Sequence, residues 1–207
     1  ESFEWPGGIV PYEIDPTFLP LERQGILNSM QNWSSQVPEV TFRPRTSETN
    51  WVYFEKIGPS WGCFSWVGMI GGRQTVQVPS WCATSKGSIS HEIGHVMGLW
   101  HEQSRSDRDQ YVKILWENVE QRCIDHKAFA QNLSTDSNPR NRGKDIGPYD
   151  YNSIMHYCPS DCSKNGKQTL IAPQDIGWSD YPSRGDYATV RNIYATVPKD
   201  NSIMCSC

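Results

Sequence analysis

The segment His91-Glu92-Ile93-Gly94-His95-Val96-Met97-Gly98-Leu99-Trp100-His101 constrains this 207-residue chain more than any other stretch. Residues four apart lie on one face of a helix, so His91 and His95 can direct their imidazoles at one point. Glu92 is offset from that line and can reach a metal-bound water without occupying a ligand position. A third histidine six residues after His95 cannot share the face of a helix that simply continues. Gly98 resolves this by permitting a sharp turn that brings His101 back to the same point. Three neutral imidazoles leave coordination positions open for water, the arrangement of a catalytic zinc and not of a structural one. At a few per cent per residue type, chance gives this pattern in roughly one chain in 10⁵ of this length. Three of the five histidines in the chain fall inside it.

Around this segment the sequence reads as mixed helix and strand. The motif helix is expected over about 88–98, with Ser88 as N-cap and Gly98 as its stop. Residues 9–14 read as a strand, and 21–33 carry Ile26, Leu27, Met30 and Trp33 at helical spacing. Short β-rich runs follow at 40–42, 51–57, 63–67 and 75–78, punctuated by Gly58-Pro59, Gly71-Gly72 and Pro79. The second half is less regular, with polar loops over 134–151 and 159–181. A last amphipathic helix is expected over about 185–195, with Ala188, Val190, Ile193 and Tyr194 as its apolar positions. There is no internal repeat and no flexible linker.

Composition narrows the setting. Aromatics make up 12% of the chain, with nine Trp and nine Tyr, enough for a core, its rim and an extended-chain binding cleft. Net charge is −4 and no stretch is strongly basic, so nucleic acid is not the expected partner. No apolar run approaches the roughly 20 residues that span a bilayer. Seven cysteines stand at 63, 82, 123, 158, 162, 205 and 207 without a CxxC pair, which points to disulfides and an oxidising, extracellular compartment. The sequons at Asn32 and Asn132 are compatible with export. The first residues have neither the basic start nor the apolar stretch of a signal peptide; an exported chain would have lost its targeting segment. Seven is odd, so one thiol is expected to be free or paired outside the chain.

The motif together with Ser153-Ile154-Met155-His156-Tyr157 is similar to the metzincin signature and its Met-turn. With Glu102 and Arg105-Ser106-Asp107-Arg108-Asp109 it closely resembles the astacin family. The likeness extends over most of the chain, through Trp5 with Gly8-Ile9-Val10-Pro11-Tyr12, Phe42-Arg43-Pro44-Arg45-Thr46, Gly62-Cys63-Phe64-Ser65-Trp66-Val67-Gly68, and Ser183-Arg184-Gly185-Asp186. The resemblance implies an α+β, two-lobed zincin-like catalytic domain. Its N-terminal lobe (about 1–98) would hold a twisted β-sheet and two helices, and its irregular C-terminal lobe (about 99–207) the terminal helix.

The resemblance also implies residue roles. One zinc ion would be held by His91, His95 and His101, with Tyr157 as a further ligand that swings away to hydrogen-bond the oxyanion. Glu92 would be the general base of peptide-bond hydrolysis. Met155 would floor the site without bonding the metal, and Glu102 would reach the mature amino terminus through water. The charges over 105–109, with His126 and His156, read as structural. Substrate would lie as an extended strand along Phe64, Ser65 and Trp66. Pro173 begins the stretch 173–179, which has no Lys or Arg and therefore suits small or apolar side chains after the cut.

The implied protein is a secreted monomeric endopeptidase acting on protein or peptide substrates, made as a zymogen with its own propeptide as a partner and present here in processed form. A catalytically impaired binding relative is the alternative, and every residue it would have lost is present. Cys63 and Cys82 match a family disulfide. The family's second bridge lacks its first cysteine, because Glu39 or Val40 stands there. Cys158 with Cys162, and Cys123 with the tail, are among many open pairings, and a bridge at Cys158 would restrain Tyr157. Only four residues precede Trp5, fewer than in the family prototype, which bears on whether Glu1 can reach Glu102.

Overall fold

The computed structural model describes residues 3–177 and 179–199, apart from the side chain of Arg140. The approach of Glu1 to Glu102 and the pairing of Cys205 and Cys207 lie outside the described residues. In chain order the elements are β1 (Ile9–Ile14), α1 (Pro20–Gln36), β2 (Thr41–Pro44), β3 (Trp51–Ile57), β4 (Arg73–Pro79), α2 (Ser80–Thr84), α3 (Lys86–Val96), β5 (Lys113–Ile114), α4 (Gln121–Asp125), β6 (Leu170–Ile171) and α5 (Arg184–Tyr194). The chain divides into two compact units, Glu1–Leu99 with Asp180–Cys207, and Trp100–Ser179.

In the first unit, alternation builds the sheet. β3 buries Val52 and Phe54, while Tyr53 and Glu55 stay half-exposed on its other face. β4 buries Gln74, Val76 and Val78 in the same rhythm. The four strands run in the order β2-β1-β3-β4 with every pairing parallel. Parallel neighbours cannot be joined by a tight hairpin, and α1 is the crossover from β1 to β2. It buries Ile26, Met30 and Trp33, and the Trp33 indole donates to the Ser90 carbonyl of α3 at 3.1 Å. A Cβ at Gly25 would lie 2.0 Å from the Ala83 carbonyl oxygen, so α1 and α2 meet only because Gly25 has no side chain.

The terminal helix packs in this unit too. Ser183 caps α5 by accepting from Asp186 N at 2.9 Å, while the Asp186 carboxylate accepts from Ser183 N at 2.7 Å. Tyr187 stands edge-on to Trp33 at 5.2 Å and donates to Asn32 at 2.8 Å. Tyr194 accepts from the Trp5 amide.

Trp100–Ser179 has little regular structure. β5 and β6 pair antiparallel over two residues each. Its core is Val112, Val119, Cys123, Phe129, Tyr149, Leu170 and Ile176. Arg108, buried within it, donates to the carbonyls of Gln103 and Phe129 at 2.9 and 2.7 Å.

Several expectations are corrected. The run 63–67 is not a strand; only Phe64 pairs, antiparallel to Gln77 of β4. The cap of α3 is Ser85, whose hydroxyl accepts from Ser88 N at 3.3 Å, so the helix starts earlier than Ser88. α1 runs longer than 21–33 at both ends. Cys63 pairs with Cys82, as the family likeness implies; Cys123 pairs with Cys162, which replaces both the Cys158–Cys162 loop and a link from Cys123 to the tail. Among the described residues no helix is long and apolar enough to cross a membrane.

Candidate metal centre

α3 presents its histidines because its other face is committed to the core. Ile89, Ile93 and Val96 are buried, which turns His91 and His95 together. Their rings meet edge-on at 4.7 Å. The helix then stops in a Schellman closure: Gly98 N donates to the His95 carbonyl at 2.8 Å, and Leu99 N donates to the Gly94 carbonyl at 3.1 Å. Gly98 supplies the left-handed residue this closure needs, with φ of +105°. The turn leaves the Leu99 carbonyl as acceptor for His95 Nδ1 at 2.8 Å. A carbonyl only accepts, so Nδ1 carries the proton and Nε2 keeps its lone pair for a metal. His91, His95 and His101 each offer a ligand atom within 4.8 Å of the others.

The electrostatics suit a cation. Burial, with His91 adding repulsion, holds His95 down at about 3, so its ring is neutral at ordinary pH. Burial pushes the Glu92 carboxyl up to about 8, and its Oε2 has no hydrogen-bond partner among the described residues. A buried carboxyl oxygen without a partner is costly unless something else satisfies it. Three imidazoles beside such a carboxyl fit zinc, which takes nitrogen ligands and keeps a position for water.

Tyr157 lies in the second unit, edge-on to His101 at 4.7 Å and to Phe129 at 5.6 Å. Met155 is fully buried there, and its amide donates to Ser153 Oγ at 3.0 Å. Glu102 accepts from the Asp150 amide at 2.7 Å and faces Arg105 at 3.6 Å. Arg105 also pairs with Asp107 at 2.9 Å, and Arg108 with Asp109 at 2.7 Å. Phe64 and Trp66 are exposed in the first unit and touch edge-on at 5.2 Å, while Ser65 between them is buried. Pro173 is exposed in the second unit.

Two residues around Tyr157 escaped sequence reasoning in this role. Gln103 accepts from the Tyr157 amide at 3.0 Å. His156 donates from Nδ1 to the Tyr157 carbonyl at 2.8 Å, and its Nε2 accepts from the Tyr149 hydroxyl at 2.7 Å. Burial lowers the His156 pKa and keeps this ring neutral. Neither spacing nor residue type signals such long-range side-chain bonds. Glu120, Cys123 and Cys162 also cluster, but the two sulfurs are joined to each other and offer no thiolate.

The family model described as Astacin, a family of peptidases, matches residues 1–195. An astacin-like metalloendopeptidase of Coturnix japonica is 36% identical over 201 residues, covering 92% of this chain and 46% of the relative. Zinc metalloproteinase nas-13 of Caenorhabditis elegans is 37% identical over 169 residues, covering 81% and 35%. The chain thus spans less than half the length of these curated relatives. Among solved structures, high choriolytic enzyme 1, a hatching enzyme zinc-protease from Oryzias latipes, superposes with a TM-score of 0.77 at 30% identity, covering 93% of this chain and 92% of that one. Myroilysin, at 21% identity and a TM-score of 0.66, shares the fold. A helix ending in a glycine closure, three convergent histidines and this breadth of likeness together place the chain in the astacin family of peptidases.

Proposed function

We propose that this chain is the catalytic domain of a secreted zinc-dependent endopeptidase. His91, His95 and His101 would hold one zinc ion, with Tyr157 as a further ligand. Bound there, zinc would supply Lewis acidity, making water more acidic and polarising the scissile carbonyl. Glu92 takes a proton from the attacking water on its buried carboxyl and passes it to the departing amine nitrogen. Tyr157 donates its phenol hydrogen to the developing oxyanion.

Substrate would enter as an extended strand beside Phe64, Ser65 and Trp66. The Phe64 amide and carbonyl are engaged with Gln77 of β4 at 3.1 and 2.9 Å. The amides of Cys63 and Ser65, on either side of Phe64, are where an incoming extended peptide would pair. Beyond the cut, Pro173 and the residues to 179 bring no cation, which favours small or apolar side chains there. Two disulfides support an oxidising extracellular setting. The partners are protein substrates and, in a zymogen, the domain's own propeptide; the domain acts as a monomer.

One observation carries this reading: three histidine ligand atoms converge beside a buried carboxyl whose Oε2 has no partner among the described residues. The test is Glu92→Gln, which preserves shape and removes the base. Zinc content should be unchanged while cleavage of a protein substrate falls by about 10²–10⁴-fold or more. A Glu92→Gln variant with full turnover would sink the assignment.

A further inference from the structure

We propose that Gln103 is a positioning residue for Tyr157, holding the tyrosine's backbone in register with His101. The inference rests on the catalytic part assigned to Tyr157 above. Gln103 lies two residues after His101, on a single 3-10 turn whose N-cap is His101 itself. Its side chain is completely buried. Its Oε1 accepts from the Tyr157 amide at 3.0 Å. Two further bonds join the same short segments: Glu102 N donates to the Met155 carbonyl at 3.1 Å, and Asp150 N donates to Glu102 at 2.7 Å. Residues 101–103 are thereby keyed to 150–157, and Gln103 is the key nearest the tyrosine.

The rest of the surroundings explains why this bond matters. Arg108 donates from one nitrogen to the carbonyls of both Gln103 and Phe129. Phe129 stands edge-on to the Tyr157 ring, whose centroid is also 4.7 Å from that of His101. The Tyr157 carbonyl is held by His156. The backbone of Tyr157 is gripped at both its amide and its carbonyl, so a swing of the phenol must come from side-chain rotation and not from the chain.

Gln103 also carries a cost that packing alone does not explain. Its Nε2 is buried with no hydrogen-bond partner among the described residues. An apolar side chain of the same length would fill the space without leaving that donor unsatisfied. What it would lose is the acceptor for the Tyr157 amide. The asymmetry points to the carbonyl half of Gln103 as its working part.

The test is a double-mutant cycle on the zinc-loaded protein, with Tyr157 amide exchange as a second readout. Gln103→Met keeps length and apolar volume but offers no comparable acceptor. It should lower kcat about 10-fold with KM within about twofold, since an ångström-scale misplacement is enough for such losses. In a Tyr157→Phe background the same change should alter kcat less than about twofold. Gln103→Glu, which keeps an oxygen acceptor at the same reach, should recover most of the turnover. The Tyr157 amide should exchange faster in Gln103→Met and at the native rate in Gln103→Glu.

Equal losses of kcat in both backgrounds, or unchanged protection of the Tyr157 amide, would overturn the proposal and leave Gln103 a packing residue. If Gln103→Met does not fold, Gln103→Ser, which removes the acceptor by shortening the side chain, runs the same cycle. Should Tyr157→Phe alone leave kcat untouched, the catalytic reading of Tyr157 fails. Amide exchange still decides separately whether Gln103 holds that backbone.

Discussion

Each of the two units of this chain is stabilised internally by different means. Glu1–Leu99 with Asp180–Cys207 rests on a four-stranded parallel ladder and helices whose apolar residues recur at regular spacing. Among its described residues, Trp100–Ser179 has two-residue strands and one five-residue α-helix. In that unit side chains take over the work that backbone ladders do in the first. Arg108 satisfies the carbonyls of Gln103 and Phe129, Asn118 donates to the Gln168 carbonyl at 2.7 Å, and Thr169 donates to the Asp161 carbonyl at 2.6 Å. Backbone polar groups must be satisfied whatever the architecture. Where repetitive structure is scarce, particular side chains carry that duty and become individually hard to replace.

The largest expected effects fall on the cross-links. Cys123–Cys162 closes a sequence separation of 39, and Cys63–Cys82 one of 19. Loop-closure entropy alone gives about 4 and about 3 kcal/mol respectively. The ladder of the first unit remains after its bridge is cut, whereas the second unit has little regular structure to fall back on. Replacing Cys123 and Cys162 by Ser should therefore cost about 4 kcal/mol in denaturant titration, and the Cys63/Cys82 pair no more than about 3. Equal or reversed costs would break the comparison.

Arg108→Met comes next. It removes a buried guanidinium that serves two carbonyls and leaves both without that donor, so about 2–4 kcal/mol should be lost. Tyr157 should suffer indirectly, because Arg108 ties the carbonyls of Gln103 and Phe129 together. Gly98→Ala is smaller, about 1–2 kcal/mol, because a Cβ meets only Ile193 at 3.8 Å and the cost lies in the +105° backbone. Its sharper readout is zinc affinity, which should weaken as the turn carrying His101 relaxes. A variant that binds zinc normally would show that the Schellman closure is not needed to bring His101 to the other histidines.

The same contrast explains what could be read beforehand. α3, β3 and α5 were legible because period and caps are local signals. The convergence of His91, His95 and His101 was legible because one spacing, with a glycine turn, brings three imidazoles together. Ser88 misled because it and Ser85 both precede the apolar run, and only the bond from Ser88 N to Ser85 Oγ distinguishes them. Residues 63–67 have strand composition, yet one paired residue is all that β4 receives from them. Gln103 and the Cys123–Cys162 pairing gave no signal, because each acts between segments far apart in sequence, and Arg108 read only as one of the structural charges over 105–109, without the carbonyls it serves.

The smallest effects are acid titrations, and they should differ in sign between the units. Glu22, in the first turn of α1, is pushed up by burial, but bonds from Lys56, Ser80 and the Leu19 amide outweigh this and leave its pKa below 4.5. Lys56 and Leu19 N both reach its Oε2 at 2.7 Å. Between the lowered folded value and 4.5 the unfolded chain binds more protons, so this contribution is complete above that window and is lost as pH falls through it. Asp161, in the second unit, is raised above 3.8 by burial despite accepting from Cys158 N at 2.8 Å. Here the folded chain binds more protons, so stability falls as pH rises from 3.8 through the folded value. Denaturation of metal-free protein from pH 3 to 7 against Glu22→Gln and Asp161→Asn separates the two. The advantage of wild type over Glu22→Gln should grow as pH rises through its window, and that over Asp161→Asn should shrink. Parallel slopes would show that the irregular unit protects its carboxylates as well as the regular one does.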